Sequence, residues 1–153
     1  MGEYTIEFNH NVDFETAVTD SGCYWANTKI IPRESLPRYI PSHGMLEDNK
    51  RCRLVSFSRT TGTWEIKKRL KDMNLRSATL LELLAFAAKY PNEQQEGSPI
   101  IALDGYYDHR GFHRVPYLEK SWDQLLLDFC YGTPIGGWDK CCRFLVVEMK
   151  GKS

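Results

Sequence analysis

The chain has 153 residues, with twenty Lys plus Arg against twenty Asp plus Glu and zero formal charge. That balance excludes a global field able to gather DNA, RNA or an anionic membrane, so nucleic acid is an unlikely partner. Hydrophobic residues at 42% and aromatics at 12% exclude a disordered chain.

No stretch approaches the roughly twenty apolar residues of a membrane span, so no membrane partner is expected. The opening MGEYTIEFNHNVDF holds acids and no long apolar core, unlike a signal peptide. Ile6 stands where a myristoylation signal wants Ser or Thr. Five cysteines (Cys23, Cys52, Cys130, Cys141, Cys142) with no export signal and no C-x-x-C pair fit reduced thiols and a cytoplasmic protein. In a strand, the adjacent Cys141 and Cys142 would point to opposite faces, one of them to the core.

In chain order, Glu3 to Phe8 alternates Tyr4, Ile6 and Phe8 with polar neighbours and predicts a half-buried strand. Asp13 to Thr19 suits a short helical turn, and Cys23, Tyr24, Trp25 and Ala26 form an apolar cluster suited to core packing. Pro32, Pro37 and Pro41 then punctuate an irregular stretch expected to run as a loop to Lys50. Arg53 to Ser58 predicts a strand, with Leu54 or Val55 and Phe57 facing inward. Thr60 to Thr63 reads as a turn able to cap a helix at Trp64. In that helix, Ile66, Leu70 and Met73 recur at i, i+4 and i+7, and Glu65 lies within reach of Lys68 and Arg69. Its lysines read as a solvated face. Asn74 is the expected stop, leading straight to the next helix.

Thr79 with Glu82 three residues on is a capping box, and Leu80, Leu83, Leu84, Ala87 and Ala88 follow at helical spacing until Tyr90-Pro91. After a polar loop, residues 100–107 predict a buried strand around Ile100, Ile101, Ala102 and Leu103. Asp108 to Gly111 reads as a hairpin turn and Phe112 to Leu118 as the returning strand, placed at an edge or bulge by Pro116. Leu125 to Phe129 suits a third strand, although Ser121 and Gln124 would equally cap a short helix there. A Gly/Pro loop covers Tyr131 to Lys140, and Cys142 to Met149 is the strongest strand signal. The expectation is a single α+β domain over 1–153: an irregular part to residue 50, then two helices packed on a mainly antiparallel twisted sheet.

A strand, an amphipathic helix, the LRSATLLELL helix and strands ending in WDKCCRF together resemble the C-type-lectin-like fold, in its formylglycine-generating-enzyme and retroelement variable-domain forms. In those modules a G-x-R-L-P-T-x-x-E-W segment opens the second helix. Arg76, Thr79 and Glu82 match it, and Trp138, Arg143 and Phe144 loosely match the closing strand. Asn74, Ser77, Ala78 and Leu83 depart from it, standing where the motif has Gly, Leu, Pro and Trp. The pattern ATLLELLAFAAKYP…PIIAL…W…CRFLVV is also similar to a set of short, uncharacterised bacterial proteins. The resemblance, covering roughly residues 50–149, implies the fold and recognition through late loops. Its copper-binding cysteine pair and three-histidine iron site find no counterpart among adjacent cysteines and His10, His43, His109 and His113.

Residue chemistry alone points to no catalytic group. His109 and His113 fall across a turn and make poor metal ligands. Asp104, Asp108, Asp123 and Asp128 lack the close spacing of a calcium loop. No P-loop, dinucleotide fingerprint or G-x-S-x-G is present. No catalytic residue, metal or cofactor is therefore assigned. The expected function is a non-enzymatic binding module whose protein or small-molecule ligand meets Tyr107, Arg110, Tyr131, Trp138 and Asp139, because Gly/Pro-rich loops on a rigid sheet display recognition residues. The alternatives are a metal-dependent enzyme of the formylglycine-generating type and a small inhibitor or accessory protein of a mobile element.

Overall fold

The structure, a computed structural model, describes residues 4–7, 14–26, 49–107 and 110–149. The expected proline-punctuated loop falls on 27–48, outside the described residues, while Asn49 and Lys50 belong to a strand; of the expected hairpin turn, 108–109 lie outside the described residues and Arg110 and Gly111 within them.

The chain is α+β. In order it forms β1 (Tyr4–Glu7), α1 (Phe14–Ser21), β2 (Cys23–Ala26), β3 (Asn49–Val55), α2 (Thr63–Asp72), β4 (Leu75–Ser77) and α3 (Leu80–Lys89). There follow β5 (Ile100–Ile101), β6 (Tyr106–Tyr107), β7 (His113–Ser121), β8 (Gln124–Tyr131) and β9 (Arg143–Glu148). Nine strands share one sheet: seven run in the order β1-β3-β9-β5-β7-β8-β2, with β4 beside β9 and β6 beside β7. Six pairings are antiparallel, and two, β2 on β8 and β5 on β9, are parallel.

Alternation along β9 builds two cores. Leu145 and Val147 join the core under α3, whereas Phe144 and Val146 join the core under α2, since successive strand residues point to opposite faces. The buried run Phe144–Val147 is what a strand covered on both faces requires. Helices α1 and α3 therefore cover one face of the sheet and α2 the other, with Ala17 and Val18 of α1 packed on the α3 core.

Several expectations are corrected. The first short helical turn is a full helix, α1. Helix α2 carries no side-chain cap: Gly62 is its N-cap, and Thr63 is turned inward. Met73 is exposed rather than in the apolar stripe. Asn74 does end α2, in the left-handed region at φ 60°, but the next residues form β4 before α3 begins. The 100–107 segment breaks into two short strands, because the chain swings away after Ala102, whose N–H goes to the Pro116 carbonyl, and Asp104 N–H then bonds Ala78. Gly105 lies so close to β7 that a Cβ would run into the Arg114 carbonyl, which glycine alone avoids. Pro116 sits within β7, between two neighbours, not at an edge. Its N lies on the same side as its carbonyl, facing the break between β5 and β6, so no ladder bond is lost there. Residues 125–129 are strand, and the helix alternative fails.

Candidate functional site

Two constellations of charged and aromatic side chains stand out, one buried and one at the surface. The buried one begins with the capping box: Thr79 Oγ1 accepts from the Glu82 N–H at 3.2 Å, and Glu82 Oε1 accepts from the Thr79 N–H at 2.9 Å. Arg76, on β4, adds a bidentate pair, its Nη1 and Nη2 donating to Glu82 Oε1 and Oε2 at 2.8 and 2.7 Å. Lys50 Nζ closes the group 3.2 Å from Glu82 Oε2. Glu82 is 0% exposed. Burial alone would raise its carboxyl, but the Arg76 hydrogen bonds and charge, the Thr79 N–H and Lys50 outweigh burial and hold it below the usual carboxylate range. The three residues that matched the second-helix motif are thus one hydrogen-bonded unit. Lys50 completes it, and sequence reasoning missed it by ending the loop there. The signal was that Lys50, Cys52 and Leu54 share one strand face.

The surface constellation lies where β7 begins and β8 ends. Phe112 and Tyr131, 49% and 48% exposed, meet edge to face with ring centroids 5.8 Å apart. Arg110 lies over the Phe112 ring at 5.4 Å, and Arg114 over the Tyr131 ring at 4.3 Å. Each cation faces the electron-rich side of a ring, the arrangement that stabilises exposed guanidinium groups. On the opposite face of the same hairpin end, the His113 ring packs over Gly132 and leaves no room for a Cβ. Burial, then the charge of Lys67, lowers the His113 pKa, so its neutral form is favoured.

Of the residues expected at the site, Arg110 and Tyr131 come together through Phe112, which sequence reasoning named among the aromatics but did not select. Tyr107 lies in β6, paired in register with His113. Trp138 does not belong to the surface. It is 7% exposed, its Nε1 donates to Thr63 Oγ1 at 2.8 Å, and its ring meets Phe144 edge to face at 5.7 Å. Trp138 and Thr61 exchange two backbone hydrogen bonds, and Thr63 Oγ1 in turn donates to the Gly132 carbonyl, so the Gly-rich loop is fastened to the start of α2. Asp139 is exposed but occupied in shaping the next turn: its Oδ1 accepts from Cys141 N–H and its carbonyl from Cys142 N–H.

Arg143, matched loosely to the closing-strand motif, acts as a staple. It donates to the Glu93 carbonyl at 2.7 Å and twice to the Ser98 carbonyl, at 2.7 and 3.2 Å. Of the cysteine pair, Cys142 is buried and Cys141 exposed. Burial, then Cys141, pushes the Cys142 thiol up to about 12; burial, then Asp128, pushes Cys130 up to about 11; burial, then Glu82, pushes Cys52 up to about 12. Thiols shifted that way are poor nucleophiles at neutral pH. Among the described residues no three His, Cys, Asp or Glu side chains gather where a metal ion could be held. No helix among them is long and apolar enough to cross a membrane.

Trp122 stands apart from both constellations. It is 84% exposed at the tip of the two-residue loop joining Ser121 to Gln124, and it holds φ 58°. A bulky side chain there is an outlier in a position that hairpins normally give to glycine or asparagine.

No protein-family model, curated protein or solved structure matches this chain.

Proposed function

We propose that this protein is a non-enzymatic binding module that recognises an acidic segment of a partner protein through the open end of the β7–β8 hairpin. The observation that carries the reading is the pair of half-exposed rings, Phe112 and Tyr131, each with an arginine over it. Aromatic and arginine side chains are the groups that dominate interface energetics, and two guanidinium groups beside them favour carboxylates on the partner. The surface rests on two long strands paired over eight positions, a rigid support for recognition.

The proposal includes the C-type-lectin-like kinship, in which late loops display the binding surface. It is supported by Arg76, Thr79 and Glu82 acting as one unit, and by the conformation of Asn74. The motif has Gly at that position, and φ 60° is a conformation that Asn tolerates next best.

The test is direct. Proteins captured on the intact chain are sequenced, and the captured partner is titrated by calorimetry against the wild type and a Phe112→Ala/Tyr131→Ala variant. Binding should weaken about a hundredfold in the variant and decline with added salt, while both proteins melt alike. Equal affinity in the two proteins, or affinity that salt leaves unchanged, overturns the reading.

A further inference from the structure

Strand β4 has one partner, β9, and no other strand among the described residues pairs with it. Two bonds fix which way its backbone groups face. The Met149 N–H donates to the Asn74 carbonyl, and the Ala78 N–H donates to the Leu145 carbonyl. In an antiparallel pair the bonded positions alternate, so Asn74, Arg76 and Ala78 face β9. Leu75 and Ser77, lying between them, turn their N–H and C=O groups to the outer edge. The Ser77 carbonyl also accepts from Arg76 Nη1 at 3.0 Å.

That edge exists because the sheet forks. At one level β5 fills the space between β9 and β7, pairing with Arg143 and Phe144 on one side and with Tyr117 and Leu118 on the other. Beyond β5, β4 takes the β9 side and β6 takes the β7 side, and the two do not pair with each other. A crevice of about 390 Å³ adjoins β4 there, with Leu70, Leu75 and Met149 as apolar walls and Ser77 at its border. Leu75 joins the core under α2, so the side chains of Leu75 and Ser77 both look to the α2 side of the sheet. A strand edge with outward donors and acceptors is a template for pairing with another extended chain.

We propose that the outer edge of β4 takes up an extended segment of a partner protein as an added antiparallel strand, with an apolar side chain of that segment seated in the crevice. The antiparallel direction follows from the alternation. A residue directly opposite Leu75 exchanges both backbone bonds with it and sends its own side chain to the same face, onto Leu70, Leu75 and Met149. A parallel strand would instead set its bonded residue opposite Arg76, with the side chain turned away from α2. The crevice lies at the small end of the range for ligand pockets, so it receives a side chain and not a folded element. Backbone bonds then supply affinity and the crevice supplies specificity, as in other cases of strand addition. None of the residues of the β7–β8 surface takes part.

The experiment is amide hydrogen exchange and NMR titration of the full chain, with the capped peptide Gln-Thr-Leu-Thr-Leu-Thr-Gln as probe. In the free protein the amides of Leu75 and Ser77 should exchange faster than that of Arg76, and saturating peptide should slow both about tenfold or more. The same peptide N-methylated at its leucines lacks the donors that would face β4, and should bind about tenfold more weakly. Ser77→Pro removes an N–H that β9 does not use, at an edge position where proline is tolerated. That variant should melt close to the wild type and bind the peptide about tenfold more weakly; if it does not fold, the N-methylated peptide on the wild type decides alone. Equal affinity for the two peptides, or peptide contacts that leave Leu75 and Ser77 unchanged, overturns the proposal. So does protection of Leu75 and Ser77 equal to that of Arg76 in the free protein, which would mean that the chain itself or, where protection rises with concentration, a second copy already covers the edge. The Phe112→Ala/Tyr131→Ala variant should bind the peptide as the wild type does, and loss of binding there would put the peptide on the rings and overturn the assignment.

Discussion

The group around Glu82 and the patch around Tyr131 are built from similar parts and behave oppositely. Both set arginine against an electron-rich partner, a carboxylate in one case and aromatic rings in the other. Around Glu82 the carboxylate accepts three hydrogen bonds, from Arg76 and the Thr79 N–H, and also pairs with Lys50, entirely inside the protein. Around Tyr131 the rings remain half exposed, and the arginines lie on them at the surface. A charge can be buried only when its partners come with it. The difference is one of burial: Arg76 is spent on a carboxylate wholly inside the protein, whereas Arg110 and Arg114 lie against rings that stay half exposed.

Breaking the buried side of that comparison should have the largest effect. Glu82→Ala leaves Lys50 and Arg76 facing one another without their carboxylate, and should destabilise the protein by about 3–5 kcal/mol in urea unfolding. The same group fixes a pH dependence. The folded-state pKa of Glu82 is lowered, so its contribution is fully present above the ordinary carboxylate pKa and is lost as pH falls through the lowered value. Acid unfolding followed by circular dichroism should show that loss in the wild type and a shallower acid limb in Glu82→Ala. An identical acid limb in both proteins would place the dependence elsewhere.

Trp138 sharpens the contrast, because it looked like surface and is core. Trp138→Ala removes a ring packed on Phe144 and leaves Thr63 without its donor, and should cost about 3 kcal/mol or more. Trp138→Phe keeps most of the ring and loses chiefly the hydrogen bond, so its cost should be nearer 1–2 kcal/mol. Differential scanning calorimetry ranks the two; equal melting temperatures for both variants and the wild type would return Trp138 to the surface.

These cases show where the sequence speaks and where it is mute. The cap of α3 was legible because Thr79 and Glu82 sit three apart and bond each other, a purely local matter. Asn74 as a stop was legible for the same reason. Strand β4 was not, since three residues are too few to show a period and its partner, Val146 to Glu148, lies some seventy residues away in the chain. The break between β5 and β6 was hidden by an apolar run continuous through Leu103; the bonds of Ala102 to Pro116 and of Asp104 to Ala78 that cause it are long-range. Lys50 was read as loop because a lysine at an inward strand position makes sense only once Glu82 is known to face it. Arg110 and Tyr131, expected near the surface, are exposed, although Tyr131 closes β8 instead of opening the Gly/Pro loop, because its partner Arg114 extends the pairing that far. Phe112 was passed over because nothing local tells an inward ring from an outward one, and Trp138 was misplaced for the same reason.

On the exposed side the effects should reverse in kind. Phe112→Ala and Tyr131→Ala each remove a half-exposed ring from a strand end, so each should change stability by about 1 kcal/mol or less. Each should nonetheless weaken partner binding by about 1.4 kcal/mol, roughly tenfold, so that the pair together accounts for the loss in the double variant. Thermal melts alongside calorimetric titration of the two variants separate these quantities. A large drop in melting temperature with unchanged affinity would make the pair part of the core, and the contrast with Glu82 would collapse.

The smallest effect expected is a gain. Trp122 holds a left-handed backbone conformation at the far tip of the same hairpin while its side chain is 84% exposed, so its ring contributes little packing to offset the strain. Holding a bulky L-residue in that region costs about 1–2 kcal/mol, and glycine adopts it freely while losing somewhat more chain entropy on folding. Trp122→Gly should therefore stabilise the protein by about 0.5–1 kcal/mol, the net of those two terms. Urea unfolding at constant m-value measures it. Because the tip stands seven strand positions from the Phe112–Tyr131 end, the variant should bind the partner as the wild type does. A variant that gains stability but loses the partner would extend the recognition surface along the whole hairpin, and Trp122 would then be a binding residue held in a strained conformation for that purpose. One that loses stability would show that the ring packs on the body of the protein after all.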